Sequence, residues 1–413
     1  DSYWDNMSGT QLQYFANLCY ANGQNPGIYW SPFVWWGAAS NAATSHVEGS
    51  TYSYDQVALK TTNGSYQVID GALALDPTHP GTKQRVDYYI NMFKGYGFDY
   101  LKLDFLTHGA LEGIHYDTNV TTGIQAYNQG MQYVLNDMGT NMYCSESIAP
   151  IFPYQYGHSR RIACDTSTYI SETSYEMNSV TYGWWLSGRL YQYNDPDCMK
   201  FSGATTNENQ SRLISCAVSG TVFLDSDDLT STTAQALAET CLTNARINAV
   251  AQAGRSFTPV EGNTGNNAAT LFVRQDGATW CVAVFNYSSN AITTNINLAR
   301  AGIAGTYVPV DLWSGAISTI TNSTLNVNLN ARQSKLFRLF TIPMLIFATV
   351  KSGNAVSFKL QGDAGFNYAI QKTTNLVQWN TVATLTNTTG QAQFTETNLP
   401  VSGNGFYRAM LIP

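Results

Sequence analysis

Lys102 and Asp104 stand two residues apart in Phe98-Asp-Tyr-Leu-Lys-Leu-Asp-Phe-Leu-Thr-His108, a short apolar run that ends in a carboxylate. On a strand, residues i and i+2 share a face, so this pair sets an ammonium beside a carboxylate at the strand's C-terminal end. In parallel α/β folds that end faces the reaction, and the carboxylate there can act as a nucleophile kept ionised by its neighbouring cation. Further acids follow at the ends of expected strands: Glu146, Asp165, Asp195 and Asp197. Cleaving a glycosidic bond takes two carboxyl groups, one ionised and one protonated. Arg161, four residues before Asp165, has the reach to bind a sugar hydroxyl.

The elements that must position these acids alternate along the chain. Helices are expected over 8–21, 82–95, 122–137, 210–218 and 233–251. Strands are expected at 26–34, 98–104, 141–146, 161–164, 190–194 and 221–224, with an insertion carrying a hairpin over 37–75. Such alternation calls for a parallel sheet with right-handed crossovers, and this many units suggests an α/β fold of the (β/α)8-type TIM-barrel class. Six strands rather than eight are expected for a barrel over residues 1–253. After Gly254 the pattern turns to alternation around Asp276-Gly277, a hairpin signal, and residues 254–340 read as an antiparallel β-sandwich. Residues 341–413 read as a second, small β-sandwich, an accessory module that either meets sugar through Tyr368 or Trp379 or serves as a spacer or anchor.

Composition narrows the function. Only 12% of the 413 residues are charged, and the net charge is −7, which argues against nucleic acid or an anionic membrane as partner. No run approaches the roughly 20 apolar residues that span a bilayer. A chain rich in Asn, Thr, Ser, Tyr and Gly fits a secreted or extracytoplasmic carbohydrate-active protein. The seven cysteines form no C-x-x-C pair and no metal-ligand spacing, so no metal is expected, and several fall in apolar runs where a buried thiol is the expected state. Trp30, Trp35, Trp36, Trp184 and Trp185 gather near expected strand ends, where flat rings stack on sugars or fill the core. His108 and His158 are expected on solvated loops.

At these residues the chain resembles the clan D glycoside hydrolases, which hold the α-galactosidases and α-N-acetylgalactosaminidases of families 27 and 36. Leu101-Lys-Leu-Asp104 looks like the family's nucleophile motif, Arg161-Ile-Ala-Cys-Asp165 like its R-x-x-x-D acid/base motif, and Asn194-Asp-Pro-Asp197 like its N-D-P-D loop. The resemblance spans about residues 1 to 340. It implies Asp104 as nucleophile and Asp165 as acid/base, with Lys102, Arg161 and Asp197 as sugar ligands. Tyr29 and Glu146 would line the pocket, joined by Asp1, Trp4 and Trp30. No metal or organic cofactor is implied.

Two departures qualify the match. Asp1-Ser-Tyr-Trp4 is the counterpart of a D-D-x-W stretch that in the family follows two barrel strands, so an upstream segment or a companion chain is expected to complete the barrel. Ser2 replaces the second of two carboxylates that hold the sugar's O4 and O6. The expected reaction is retaining, exo-acting removal of terminal α-galactosyl groups from an oligosaccharide or polysaccharide. Alternatives are the same chemistry on α-N-acetylgalactosaminides, β-L-arabinopyranosides or α-glucans, or an inactive carbohydrate-binding protein or barrel fragment.

Overall fold

The computed structural model describes residues 6–167, 169–220, 223–350, 355–397 and 405–412. Two compact units divide the chain: one runs up to Cys164 and takes in Leu186–Asp197, and the other holds Asp165–Trp185 and everything from Cys198 on.

The first unit carries helices α1 (Gly9–Ala21), α2 (Pro80–Gly95) and α3 (Gly123–Met138). Its five parallel strands are β1 (Gly27–Trp30), β2 (Tyr100–Leu103), β3 (Tyr143–Glu146), β4 (Ser159–Arg161) and β5 (Tyr193–Asp195). They lie side by side in chain order. Each helix begins where its sequence supplies partners for the free N–H groups. Ser8 with Gln11, and Thr122 with Gln125, form capping boxes, while His79 accepts from Gly81 N–H ahead of a helix opened by Pro80. The helix 82–95 and the helix 122–137 expected from the sequence are thus present, within a residue or two at each end.

One face of the sheet is the core. Ile28, Trp30, Leu101, Leu103 and Cys144 project from it against Val86, Ile90 and Phe93 of α2 and Met131, Val134 and Met138 of α3. Full burial of each aliphatic side chain contributes about 1.5–3 kcal/mol, which fixes the strands in register. Between β1 and α2 lies the expected insertion. Its hairpin pairs Val68–Ile69 with Ala72–Ala74, and Asp70 (φ 55°) and Gly71 (φ 80°) both adopt the left-handed region that a two-residue type I′ turn requires. Trp35, partly buried, stacks on Tyr54 inside this insertion at 4.4 Å between centroids and packs against its core.

Of the open, six-stranded barrel expected from the sequence, the first unit holds five parallel strands in chain order. Among the described residues no closed barrel forms: β1 and β5 each pair along one edge only, and the strands that follow, Cys198–Met199 and Leu224–Asp225, pair with each other. Closure requires every strand to find two neighbours at a consistent stagger, and these seven short strands do not supply them.

The second unit opens with helices α4 (Ile170–Gly183) and α5 (Thr206–Ser219). Two shorter helices, Thr232–Leu242 and Ala245–Ala251, follow. Antiparallel strands begin at Thr258. One sheet of five strands and a pair, Ile292–Asn297 with Thr324–Leu329, enclose a core that includes Val282, Val284, Leu298, Val327 and Leu339. The expected hairpin joins Leu271–Asp276 to Thr279–Phe285, with Gly277 at φ 64°. Beyond Thr341, two three-stranded sheets enclose Phe358, Ile370 and Phe394. Tyr368 in this module is fully buried and cannot stack on a sugar, while the Arg408 guanidinium covers the Trp379 ring at 4.2 Å.

Candidate active site

Register decides which residues reach the open face of the parallel sheet. Tyr29, Lys102, Ser145, Ser159 and Tyr193 are aligned across β1 to β5, and Arg161 is aligned with Asp195 two residues further on. Side chains aligned across parallel strands share a face, as do residues i and i+2. Tyr29, Lys102, Asp104, Arg161 and Asp195 therefore lie on the face opposite the helix-packed core.

Asp104 follows the last residue of β2. Its N–H donates to Trp30 O (3.0 Å), which fixes the backbone, and its Oδ1 accepts from Phe105 N–H (2.8 Å). Phe105 takes the left-handed conformation (φ 53°), an uncommon state for a bulky residue that the surroundings must enforce. Trp36 meets the Phe105 ring edge-on at 4.8 Å, so this tryptophan packs beside the loop that carries the carboxylate.

Asp197 sits between two cations. Arg161 Nη2 is 2.8 Å from its Oδ2, and Lys102 Nζ is 3.8 Å from its Oδ1. The expected Lys102 pairing with Asp104 is replaced by this one. The loop that delivers Asp197 is locked from behind: Asp195 Oδ1 accepts from Asp197 N–H (2.8 Å), and Asp197 itself is at φ 68°. Asp195 Oδ2 accepts from Ser145 Oγ (3.4 Å), and Ser159 Oγ donates to Ser145 Oγ (2.9 Å). Ser145, Ser159 and Asp195 are all inaccessible to solvent. Sequence reasoning did not assign Ser145 and Ser159, although their alternation with Cys144 and Arg160 was the signal that would have found them.

Glu146 and Trp30 are corrected. Both align with Leu103, not with Lys102, so they point into the helix-packed side. Trp30 is 4% exposed, with the Arg85 guanidinium 5.2 Å and the Tyr89 ring 5.1 Å from its own ring. Glu146 is wholly buried, and burial pushes its carboxyl up to about 8 against the pull of Arg160. The Tyr191 hydroxyl near it donates to Ile151 O (3.1 Å), and neither Glu146 oxygen has a hydrogen-bond partner among the described residues. A carboxyl in that state is held neutral by the apolar core.

Asp165 lies four residues past the end of β4 on an exposed stretch and belongs to the second unit. Asp1 and Trp4 lie outside the described residues, as does Ser2. His108 is fully buried, its ring nitrogens 3.0 Å from Phe105 O and 3.1 Å from Ile69 O. Burial lowers its pKa, and the neutral ring donates to one of the two carbonyls; it is a brace rather than the expected solvated histidine. His158 is exposed and accepts from Cys144 N–H (3.0 Å) while stacking on Tyr143. Trp185 donates to Tyr182 O (2.9 Å). Cys144, Cys241 and Cys281 are buried thiols. Among the described residues no group of three or more His, Cys, Asp or Glu is placed to hold a metal ion, and no helix is long and apolar enough to cross a membrane.

With this geometry in hand, the chain can be set beside known proteins. Residues 271–339 match the family described as the alpha galactosidase C-terminal beta sandwich domain. The chain is 22% identical over 290 residues to "Probable alpha-galactosidase A" of Aspergillus oryzae, covering 64% of this chain and 52% of the relative. It thus spans about half the length of the curated relatives it matches. A β-L-arabinopyranosidase of glycoside hydrolase family 27 from Geobacillus stearothermophilus shares the fold at a TM-score of 0.58 and 16% identity, over 79% of this chain and 77% of that one. An isomalto-dextranase from Arthrobacter globiformis T6 does so at 0.57 and 16%, over 96% of this chain and 84% of that one. Alpha-galactosidase I from Mortierella vinacea gives 0.52 and 14%, over 79% of each chain. The chain resembles the clan D glycoside hydrolases, with family 27 among its structural neighbours.

Proposed function

We propose that the protein is a retaining exo-glycosidase that removes terminal α-galactosyl groups from oligosaccharides or polysaccharides. The observation that carries the reading is Asp197 paired with Arg161 and Lys102 on the same sheet face as Asp104. A carboxylate between two cations, on one sheet face with a second carboxylate, suits sugar hydroxyls, which both donate and accept.

In the first step an oxygen of Asp104 bonds to the anomeric carbon as the carbon–oxygen bond to the leaving group breaks, and the Asp165 carboxyl passes its proton to the departing oxygen. In the second, Asp165 takes a proton from water, the water oxygen bonds to the same carbon, and the bond to Asp104 breaks. Lys102, Arg161, Asp197 and Tyr29 hold the sugar. Asp1 and Trp4 remain ligands implied by the family resemblance. The polar, charge-poor sequence fits work outside the cytoplasm.

A second reading, the same mechanism on an α-glucan, is favoured by one observation. The likeness to the isomalto-dextranase extends over 96% of the chain, and so takes in residues after Thr341. Ser2, in place of a carboxylate that would select the O4 and O6 arrangement of galactose, points the same way. Hydrolysis of a panel of nitrophenyl α-galactoside, α-N-acetylgalactosaminide, β-L-arabinopyranoside and α-glucoside separates these readings. Turnover of none of them, with sugar binding intact, would establish a non-catalytic carbohydrate-binding protein instead.

A further inference from the structure

Arg212 and Glu176 are charged side chains 1% and 0% exposed, facing each other from α5 and α4 of the second unit. Burying such a pair is tolerated only when the remaining donors and acceptors are also satisfied. The Glu176 carboxylate accepts from Arg212 Nη1, from Ser219 Oγ (2.8 Å) and from Ser215 Oγ (3.3 Å). Arg212, Ser215 and Ser219 fall at i, i+3 and i+7, one face of a helix.

The guanidinium reaches beyond this pair. Arg212 Nη2 donates to Thr166 Oγ1 (2.7 Å) and to Cys198 O (3.0 Å). Thr166 is the residue after Asp165 and is 3% exposed, while Asp165 itself is exposed. The segment is held at successive points. Glu172 Oε2 accepts from Ser167 N–H (3.0 Å) and Tyr169 N–H (3.0 Å), and Lys200 N–H donates to Ser167 O (3.2 Å). An exposed acid thus emerges from a stretch anchored to a buried charge.

We propose that Arg212 is a positioning residue that orients Asp165 for proton transfer by clamping Thr166 Oγ1 and Cys198 O. This rests on the assignment of Asp165 as acid/base. Proton donation to a leaving oxygen needs the acid placed within a few tenths of an ångström, because a hydrogen bond weakens steeply with misalignment. Leaving groups that depart without a proton do not need it.

The test uses Thr166→Val, which keeps the shape of the side chain and deletes the acceptor, together with Arg212→Lys. Asp165→Ala is the reference, and each protein's melting curve is recorded. Substrates are 2,4-dinitrophenyl and unsubstituted phenyl α-galactosides, or the corresponding α-glucosides if the panel selects them. Thr166→Val is expected to lower kcat/KM for the phenyl glycoside by about tenfold while changing the dinitrophenyl glycoside by less than about twofold, a partial copy of the roughly 10²–10⁴-fold contribution of a general acid. Arg212→Lys should show the same pattern, with a shift in the basic limb of the pH profile.

If Asp165→Ala discriminates between the two leaving groups while a folded Thr166→Val slows both alike or neither, the positioning role is refuted and the acid/base assignment stands. If Asp165→Ala itself fails to discriminate, both are refuted. Should Arg212→Lys fail to fold, the Thr166→Val result alone decides.

Discussion

The Arg161 guanidinium and the Asp197 carboxylate meet at 2.8 Å with side chains only 6% and 7% exposed. Removing the acid from such a pair takes a close partner from a buried charge, at a cost of about 3–5 kcal/mol. Asp197→Ala should therefore lower the unfolding free energy in urea by about that amount and raise KM at temperatures where it remains folded. An unchanged denaturation midpoint would mean that the pair is not closed in solution.

Asp104→Ala should abolish hydrolysis by at least about a thousandfold, since groups that act together in catalysis lose most of the rate when one is removed. Added azide should restore turnover of an activated α-glycoside and give the β-configured glycosyl azide, because the anion enters where the carboxylate stood. Equal rates for variant and wild type would eliminate Asp104 as nucleophile.

Tyr29 and Trp30 are adjacent in sequence but project to opposite faces of the sheet. Trp30→Ala should cost about 3–5 kcal/mol of stability by leaving a cavity under Arg85 and Tyr89, with KM little changed. Tyr29→Phe should raise KM severalfold and leave stability within about 0.5 kcal/mol. Steady-state kinetics and urea melts on both variants check the sheet register, and the reverse pattern would invert it.

Glu146 links stability to pH. Its folded pKa of about 8 lies above the ordinary carboxyl value of 4.5, so between those values the folded protein keeps a proton that the unfolded chain releases. The contribution of Glu146 to stability is fully present below about pH 4.5 and is lost as pH rises through about 8, by at most about 5 kcal/mol at 1.36 kcal/mol per unit. Glu146→Gln does not titrate there. Its melting temperature should exceed that of wild type near pH 8.5, with a smaller fall between pH 5 and 8. Parallel profiles for the two proteins would show that Glu146 does not carry the dependence.

Much of the local structure was legible, and so was the face shared by Lys102 and Asp104. Caps at Ser8 and Thr122, the Asp276-Gly277 hairpin and the N-D-P-D loop are short-range signals, set by residues within a turn of one another. The errors come from relations between strands. Glu146 ends its strand just as Asp104 follows the end of its own, but β3 pairs so that Glu146 aligns with Leu103, and an offset of one residue turns a side chain to the other face. Lys102 pairs with Asp197 across some 95 residues of sequence, a partner that spacing alone does not single out. Asp165 was expected at a strand end, but β4 stops at Arg161. The barrel, expected open with six strands, was inferred by counting alternating units, and a count does not fix how the outer strands pair.

The peptide N–H of Phe105 makes the two oxygens of Asp104 inequivalent. Oδ1 is tied to the main chain over 2.8 Å, so in the proposed double displacement Oδ2 is the atom that becomes esterified, and Oδ1 becomes the acyl oxygen. That N–H then draws electron density away from the ester and makes the aspartate a better group to expel. A strained turn beside the first bond-forming event would act chiefly on the second, hastening release of the sugar from the protein.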